Sequence, residues 1–291
     1  MLEFSGLTLS NAHVLKPHLT HSYSRLCDYV YGTVLLWRDM WPLEFAISNN
    51  TVFMRQKSVN GNYGYLLPVC DDMEQAFTVL DSHHKGQKLF NNVPETELDS
   101  LRRHYRIIST KAIVAGGDYI YCAESMAALS GRKLHGQRNH ANYFDRTWKH
   151  HFETITKNNV NDVKAFIEQK AVSASSELFE EGTRKTYEVL DNLDIYDFSS
   201  LAIYAGDQLI GFTFGTLLGD TLYVSIEQAD RDYRGVYPKL ASQFVSAHIN
   251  KGALFVNRED DIGDEGLRRS KLAWNPCEIV ERFAVIVEDD Q

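Results

Sequence analysis

The sequence has 291 residues, a formal net charge of −9, 44% hydrophobic residues and 24% charged residues. This balance is that of an ordinary globular protein and excludes a chain that is mainly disordered. The net acidity also argues against a nucleic-acid coat protein and against a wholly basic membrane-surface protein.

The first half of the chain has a mixed α/β pattern. Asn49-Asn50 separates two apolar stretches and is a hairpin turn pair that tolerates positive φ. Asp71 is predicted to cap a helix of about 13 residues whose apolar positions recur at helical spacing. Predicted strands cover 44–48, 51–57, 62–68, 88–91 and 119–122, and a further short helix is predicted over 95–103.

The second half gives a clearer order of elements. Predicted strands cover 148–154, 200–204, 209–218, 221–227, 253–256 and 278–287, and predicted helices cover 161–172, 176–193, 236–250 and 263–272. The resulting order, β-α-α-β-β-β-α-β-α-β, is that of the acetyltransferase-like (GNAT) fold of acyltransferases. There, an antiparallel meander leads to a strand and helix that hold the acyl donor. The first half shows a degraded version of the same order, so an α/β fold of two tandem modules is predicted.

The charge is divided unevenly between these modules. Residues 1–150 contain 16 Lys and Arg against 14 Asp and Glu, a net charge of +2, whereas residues 151–291 carry −11. Domains typically run to about 100–200 residues. We therefore predict an N-terminal module over 1–147 and a C-terminal module over 148–291.

The cysteines and the N-terminus exclude several classes. Four cysteines, Cys27, Cys70, Cys122 and Cys277, are too widely spaced for a zinc ribbon and too few for a disulfide framework. Paired histidines lack supporting carboxylates or cysteines, so no metal site is expected. The N-terminus has no signal-peptide pattern and no stretch approaches 18 apolar residues, which predicts a cytoplasmic protein without a transmembrane segment.

The segment 226–239 runs from a strand end through a polar loop into a helix. Backbone N–H groups at a helix start can bind phosphate, which makes Arg231, Arg234, Gly235 and Val236 candidates for binding a cofactor. Coenzyme-A-dependent members of the fold usually show a Gln/Arg-x-x-Gly-x-Gly/Ala loop. Here Asp232 stands three residues before Gly235 and Tyr237 stands two after it, so the motif is degenerate. The alternative is an ordinary strand–helix loop.

The triplet Asn257-Arg258-Glu259 directly follows a buried strand. Charged groups at such a position need partners, and α/β sheets bind ligands at the carboxyl ends of their strands. Asn257 and Arg258 are therefore candidates for binding substrate. Glu227, Glu259 and Tyr237 are candidates for the general base, chosen by position alone.

A basic stretch lies where the two modules meet. Residues 130–151 contain five Lys and Arg, one acidic residue and four histidines. The stretch is predicted to form a helix that crosses between the modules. It is either a solvated basic helix or an anion site for the phosphate of a coenzyme, a lipid head group or tRNA. The candidate substrate-binding residues in it are Arg132, Lys133, Arg138, Asn139 and His140.

Two strings resemble a bacterial family. They are Leu129-Ser-Gly-Arg-Lys-Leu-His-Gly-Gln-Arg-Asn-His-Ala-Asn-Tyr-Phe and Val256-Asn-Arg-Glu-Asp-Asp-Ile-Gly-Asp-Glu-Gly-Leu-Arg-Arg-Ser-Lys-Leu. The chain resembles, over essentially its whole length, the soluble group related to the C-terminal domain of phosphatidylglycerol lysyltransferase. The resemblance implies a tandem acetyltransferase-like fold, like that of aminoacyl-tRNA-dependent transferases that modify lipids or peptidoglycan precursors.

The function hypothesis is an acyl- or aminoacyl-transferase. It would move an acyl group from a thioester or aminoacyl-tRNA donor to an amine or hydroxyl, with no tightly bound cofactor. The partners expected are tRNA or an anionic, phosphate-bearing small molecule, and peripheral contact with lipid. Two alternatives stay open. One is a non-catalytic ligand-binding or regulatory protein that retains the fold, and the other is a nucleic-acid-binding module based on residues 130–151 alone.

Overall fold

The structure is a computed structural model that describes residues 1–57, 62–113, 117–171 and 177–289. It divides the chain into two compact units. The first comprises Met1–Asp118, Asp260–Asp264 and Ile279–Gln291, and the second comprises Tyr119–Glu259 and Glu265–Glu278. The predicted boundary lay between residues 147 and 148. The structure differs because residues 119–147 belong to the second unit, where the helices Ala123–Ala128 and His135–Thr147 pack against the helix Val236–Ile249.

The first unit is built mainly from the first 112 residues. Its strands and helices are β1 (Ser5–Gly6), α1 (Ala12–Leu15), α2 (Tyr31–Trp37), β2 (Leu43–Ser48), β3 (Thr51–Lys57), β4 (Tyr63–Tyr65), α3 (Met73–His83), β5 (Lys88–Pro94), α4 (Leu98–His104) and β6 (Tyr105–Ala112). Short 3₁₀ helices cover Lys16–His18, Tyr23–Arg25, Cys27–Tyr29 and Glu95–Glu97.

The second unit follows the order of elements predicted for it, with four additions: a strand and two helices at its start and a short helix before the meander. Its elements are β7 (Asp118–Cys122), α5 (Ala123–Ala128), α6 (His135–Thr147), β8 (His150–Glu153), α7 (Val160–Ala171), α8 (Glu177–Asp191), α9 (Leu193–Tyr196), β9 (Ser199–Ala205), β10 (Gln208–Leu218), β11 (Thr221–Ala229), α10 (Val236–Ile249), β12 (Phe255–Asn257) and α11 (Glu265–Leu272). The chain ends with β13 (Glu278–Val280) and β14 (Arg282–Asp289). The first residue of the helix predicted over 176–193, Ser176, lies outside the described residues.

The sheet of the first unit has the order β1-β2-β3-β4-β5-β14-β6. Its β2–β3 hairpin turns at Asn49-Asn50 with Ser48 opposite Thr51, as predicted. Asp72 caps α3, with Oδ1 accepting from the N–H of Gln75 at 3.0 Å, so the prediction of Asp71 as the cap was wrong by one residue. The last strand, β14, pairs antiparallel with both β5 and β6. The final predicted strand is therefore split, and its longer part completes the sheet of the first unit.

The sheet of the second unit contains β7-β12-β11-β10-β9-β8 in that order. The predicted meander is β9-β10-β11, and β11 pairs parallel with β12. On its other side β12 pairs antiparallel with β7, with Val256 opposite Tyr121. One face of α10 packs Phe244 and Val245 against Val256 and Tyr121 in a buried cluster. Each large apolar side chain fully buried there stabilises the unit by about 1.5–3 kcal/mol.

Candidate functional site

The parallel strands β11 and β12 separate at their carboxyl ends. Their pairing ends where Tyr223 lies opposite Asn257, which is the last residue of β12. Strand β11 continues to Ala229, still paired with β10. An irregularity in the β10–β11 pairing, next to Gly215, shifts the register between Val224 and Ile226, just after β11 and β12 cease to pair. The sheet therefore opens between 224–229 and the chain that leaves β12, which is where α/β sheets bind ligands.

A buried ion pair crosses this opening. Nη2 of Arg258 donates to Oε1 of Glu227 at 2.8 Å, and the two side chains are 14% and 8% exposed. Burial raises the pKa of the Glu227 carboxyl above its ordinary value, while Arg258 and Lys271 oppose that rise. Nη1 of Arg258 is buried and has no hydrogen-bond partner among the described residues. The guanidinium thus keeps a donor that a ligand in the opening can use.

The loop that carries Arg258 is held in place by α11. Nζ of Lys271 donates to the carbonyl oxygens of Arg258 and Glu259, the latter at 3.1 Å. Oδ1 of Asn257 accepts from the N–H of Glu259 at 2.6 Å, and Glu259 has a φ of 58°. The ring of Trp274 lies 5.2 Å from the Arg258 guanidinium. The hydrogen bonds described for Asn257 and Glu259 therefore shape the loop.

A pocket of about 320 Å³ adjoins this site. Its apolar lining residues are Tyr121, Met126, Leu134 and Trp274, each at most 5% exposed. Arg132 and Lys133 also line it and are exposed. We call this cavity the Trp274 pocket, because Trp274 contacts both the pocket and Arg258.

The rest of the basic stretch has other partners. Nη1 of Arg138 donates to the carbonyl oxygens of Leu129 and Gly131, at 2.6 and 3.2 Å, and so pins the turn that precedes Arg132. Asn139 is exposed and lies within 3.3 Å of a ring nitrogen of His135. The predicted helix over 130–151 is shorter, α6, and it belongs to the second unit. The structure therefore gives different surroundings to residues that the sequence grouped together.

Some backbone donors of the loop before α10 are bound within the loop itself. The N–H of Asp232 donates to the carboxylate of Asp230 at 3.0 Å, and the N–H of Val236 donates to the carbonyl of Tyr233 at 3.0 Å. Asp230 is paired with Lys170 at 2.7 Å. Together these contacts use several of the donors that a phosphate would need.

Helix α6 also packs against the start of α10. Gly235 has a φ of 95°, and a Cβ there would lie 2.1 Å from the carbonyl oxygen of His140. Nε of Arg234 donates to Nδ1 of His140 at 3.3 Å, whereas Arg231 is exposed. Val236 is buried, and Tyr237 packs against an apolar cluster that includes Phe144. No hydrogen bond or ion pair among the described residues joins these residues to the Glu227–Arg258 pair.

Replacing Gly235 by Ala is expected to lower the free energy of unfolding by about 2–3 kcal/mol, because the Cβ adds strain at positive φ and meets the backbone of His140. Gly219→Ala is the matched control, since Gly219 has a φ of 59° and a Cβ added there would meet no atom within 4 Å. It should show the cost of positive φ alone, about 1 kcal/mol. Urea unfolding measures both, and equal losses would show that α6 yields freely.

The sequence analysis therefore identified candidate residues that lie close together in the structure, but it missed two residues that contact them. Glu227, Asn257, Arg258 and Glu259 come together at the strand opening. Lys271 and Trp274 were not predicted, although Lys271 falls within the second family-like string. Within the described residues, no helix has the length and hydropathy that crossing a bilayer requires, and no three His, Cys, Asp or Glu side chains form a group that could hold a metal ion.

Comparison with known proteins identifies the family. Residues 22–286 match the family described as "Phosphatidylglycerol lysyltransferase, C-terminal". An uncharacterised protein of Mycoplasmoides gallisepticum is 27% identical over 187 residues, which are 58% of this chain and 56% of that protein. The chain thus spans little more than half the length of that relative.

Two crystal structures show the same fold. A conserved protein of unknown function from Bacteroides thetaiotaomicron is 23% identical and has a TM-score of 0.85, with 99% of this chain and 100% of that chain covered. The C-terminal domain of a putative lysylphosphatidylglycerol synthetase from Agrobacterium fabrum is 12% identical, with a TM-score of 0.63 and coverage of 95% and 91%. The predicted tandem acetyltransferase-like α/β fold is confirmed.

Proposed function

The chain belongs to the family of phosphatidylglycerol lysyltransferase C-terminal domains, and on that premise we propose that it transfers an aminoacyl group from an ester donor to an amine or hydroxyl acceptor. Membership places it in the acyl- and aminoacyl-transferase-like superfamily. The proposal of aminoacyl transfer from an ester rests on the buried Glu227–Arg258 ion pair at the opening between β11 and β12.

In the proposed reaction the acceptor nitrogen or oxygen attacks the carbonyl carbon of the donor ester. Glu227 removes the proton of the attacking group, and the new bond to carbon forms as negative charge develops on the carbonyl oxygen. The unpaired Nη1 of Arg258 can donate to that oxygen. The carbon–oxygen bond of the ester then breaks, and the departing hydroxyl takes the proton back from Glu227.

The loop before α10 bears on the choice of donor. A coenzyme A thioester needs a binding site for its pyrophosphate. In this fold we expect that site at the start of the helix corresponding to α10, where backbone N–H groups can bind phosphate. Here Asp232 and Val236 use their N–H groups within the loop, and His140 lies directly against Gly235. This arrangement favours an aminoacyl ester over acyl-coenzyme A as the donor.

The test is consumption of a labelled donor. We expect the wild-type protein to release the amino acid of radiolabelled lysyl-tRNA, in the presence of phosphatidylglycerol vesicles or of a water-soluble amine, faster than buffer does. Comparing the two acceptors shows whether the protein prefers a lipid acceptor or a water-soluble one. Acetyl-coenzyme A is expected to persist under the same conditions.

The control is the double variant Glu227→Gln/Glu259→Gln, which should leave the ester at its uncatalysed rate of hydrolysis. Undiminished turnover in this variant would remove both carboxylates from the catalytic role. If the wild-type protein consumes neither donor with either acceptor, the proposal is overturned in favour of a non-catalytic binding protein that retains the fold.

A further inference from the structure

The Trp274 pocket has a wall of side chains that are otherwise sealed from water. Met126, Leu134, Tyr121 and Trp274 are between 2% and 5% exposed, yet all four line the cavity. They come from separate segments of the second unit that meet in one apolar cluster. A compact apolar group placed against them would be removed from water on several sides, which favours binding by about 25 cal/mol per Å² buried.

Two positively charged side chains without an acidic partner in the described part of the chain also line the Trp274 pocket. Arg132 and Lys133 are exposed, and no hydrogen bond or ion pair joins either side chain to another of the described residues. Of the described residues that line the pocket, none is acidic. Asp145, the one acidic residue of the basic stretch, is paired with Lys239 at 2.9 Å and therefore compensates neither cation.

The turn that presents these cations is fixed by hydrogen bonds. The N–H of Ser130 donates to the carbonyl of Ser125 at 3.0 Å, and Arg138 binds the carbonyls of Leu129 and Gly131. Gly131 has a φ of 81°, a conformation that favours glycine, immediately before Arg132. The two cations are thus attached to a shaped backbone and not to a loose loop.

We propose that the Trp274 pocket binds a small amphipathic anion, with a compact apolar body against Trp274 and Leu134 and one carboxylate or phosphate held by Arg132 and Lys133. A volume of about 320 Å³ lies at the lower end of the range for small-molecule sites and excludes a macromolecule inside the cavity. This proposal depends only on the residues that line the pocket and does not require that the protein catalyse the transfer reaction.

Three matched naphthalene compounds test the charge requirement by titration calorimetry. 1-Naphthyl phosphate and 1-naphthoate carry the two anionic groups, and 1-naphthol has the same ring without the charge. We expect the better anion to bind with one-to-one stoichiometry at least tenfold more tightly than 1-naphthol. The ranking of the two anions identifies the preferred head group. Equal affinity for all three would overturn the proposal.

The double variant Arg132→Ala/Lys133→Ala should weaken binding of the preferred anion at least tenfold and leave 1-naphthol unchanged. Arg146→Ala/Lys149→Ala is the matched control, because it removes the same charge from exposed positions of the basic stretch that do not line the pocket. It should change affinity less than twofold. Equal weakening by both variants would show a diffuse electrostatic attraction and no built site.

Cysteine labelling locates the bound compound. Cys122 lines the pocket, is exposed, and has a thiol whose pKa is lowered by a hydrogen bond from the backbone of Ser125. At saturation the preferred anion should slow alkylation of Cys122 by iodoacetamide at least fivefold, as read by peptide mass spectrometry. The half-buried Cys70, outside the pocket, is the internal control. Unslowed labelling of Cys122 would exclude this pocket as the binding site.

These outcomes are independent of those for the proposed transfer. Glu227 does not line the Trp274 pocket. Loss of binding in Arg132→Ala/Lys133→Ala therefore bears on the pocket, and loss of donor consumption in Glu227→Gln/Glu259→Gln bears on the reaction. A protein that binds the anion but transfers nothing would retain the pocket proposal and lose the transfer proposal.

Discussion

Replacing Asp118 by Asn is expected to lower the free energy of unfolding by about 3–5 kcal/mol, the usual cost of leaving one member of a buried ion pair without its partner. Asp118 is fully buried in the first unit. Its Oδ2 accepts from the N–H of Cys27 at 2.8 Å, and its Oδ1 accepts from Nη2 of Arg282, which is 7% exposed. An amide would keep at most one of these contacts and would leave the guanidinium undercompensated.

Asp99→Asn is the matched control for this prediction. Asp99 pairs with Arg102 at 2.7 Å, but the two side chains are 74% and 56% exposed. An exposed pair contributes about 0–1 kcal/mol, so this substitution should cost little. Urea unfolding of both variants makes the comparison. A loss below about 1 kcal/mol in Asp118→Asn would show that the remaining carboxylates around Arg282 compensate fully.

Asp28 belongs to the same buried group and behaves differently with pH. Its Oδ2 lies 3.5 Å from Nη1 of Arg282, and burial raises the pKa of its carboxyl to about 6. The folded state therefore holds a proton that the unfolded state releases near pH 4. Stability from this group is present below about pH 4 and is lost as the pH rises through about 6.

The raised pKa of Asp28 predicts how the stability difference between wild-type protein and Asp28→Asn changes with pH. Relative to the variant, wild-type protein should be most stable near pH 4 and should lose this advantage progressively up to about pH 6. The difference between the two unfolding free energies, measured across this range, cancels the titration of groups remote from Asp28 and reports on Asp28 together with its neighbours Asp118 and Asp260. A difference that stays flat or grows with pH would contradict the assigned direction.

The sequence predicted the fold where the determinants are local. The β9–β10–β11 meander follows from apolar alternation and tight turns, and the β2–β3 hairpin follows from Asn49-Asn50. The placement of β7 and β14 could not be predicted in this way, because their pairings join residues far apart in the chain: Tyr121 lies opposite Val256, and Ile286 lies opposite Leu89. Alternation specifies a strand but not its neighbours.

The candidate site likewise contains residues that local sequence could predict and residues that it could not. Arg258 was singled out because a charged residue at the end of a buried strand needs a partner, and Glu227 was chosen as a candidate base by position alone. The structure pairs the two side chains with each other. Lys271 and Trp274 were missed because their contacts with the loop at Arg258 span 12 to 16 residues of sequence and arise only when the chain after β12 folds back on itself. The charge of residues 130–151 indicated an anion site, whereas the apolar wall of the Trp274 pocket comes from segments far apart in sequence.

Replacing Glu227 by Gln should reduce transfer at least about 100-fold, which is the usual minimum for losing a general base. Because burial raises the pKa of this carboxyl, the wild-type rate should fall on the acid side at a pH above the ordinary carboxyl range, and the variant's residual rate should lack that decline. Single-turnover rates with labelled lysyl-tRNA, measured across pH, provide both values.

Glu227→Gln also leaves Arg258 without its carboxylate, so a slower reaction could arise from a distorted loop. The double variant Glu227→Gln/Arg258→Gln separates the two causes, because it removes both charges of the buried pair together. We expect its melting temperature to recover most of what Glu227→Gln loses, while its transfer rate stays low, since the base and the donor to the oxyanion are both absent. Recovery of rate along with stability would assign Glu227 a positioning role and exclude it as the base.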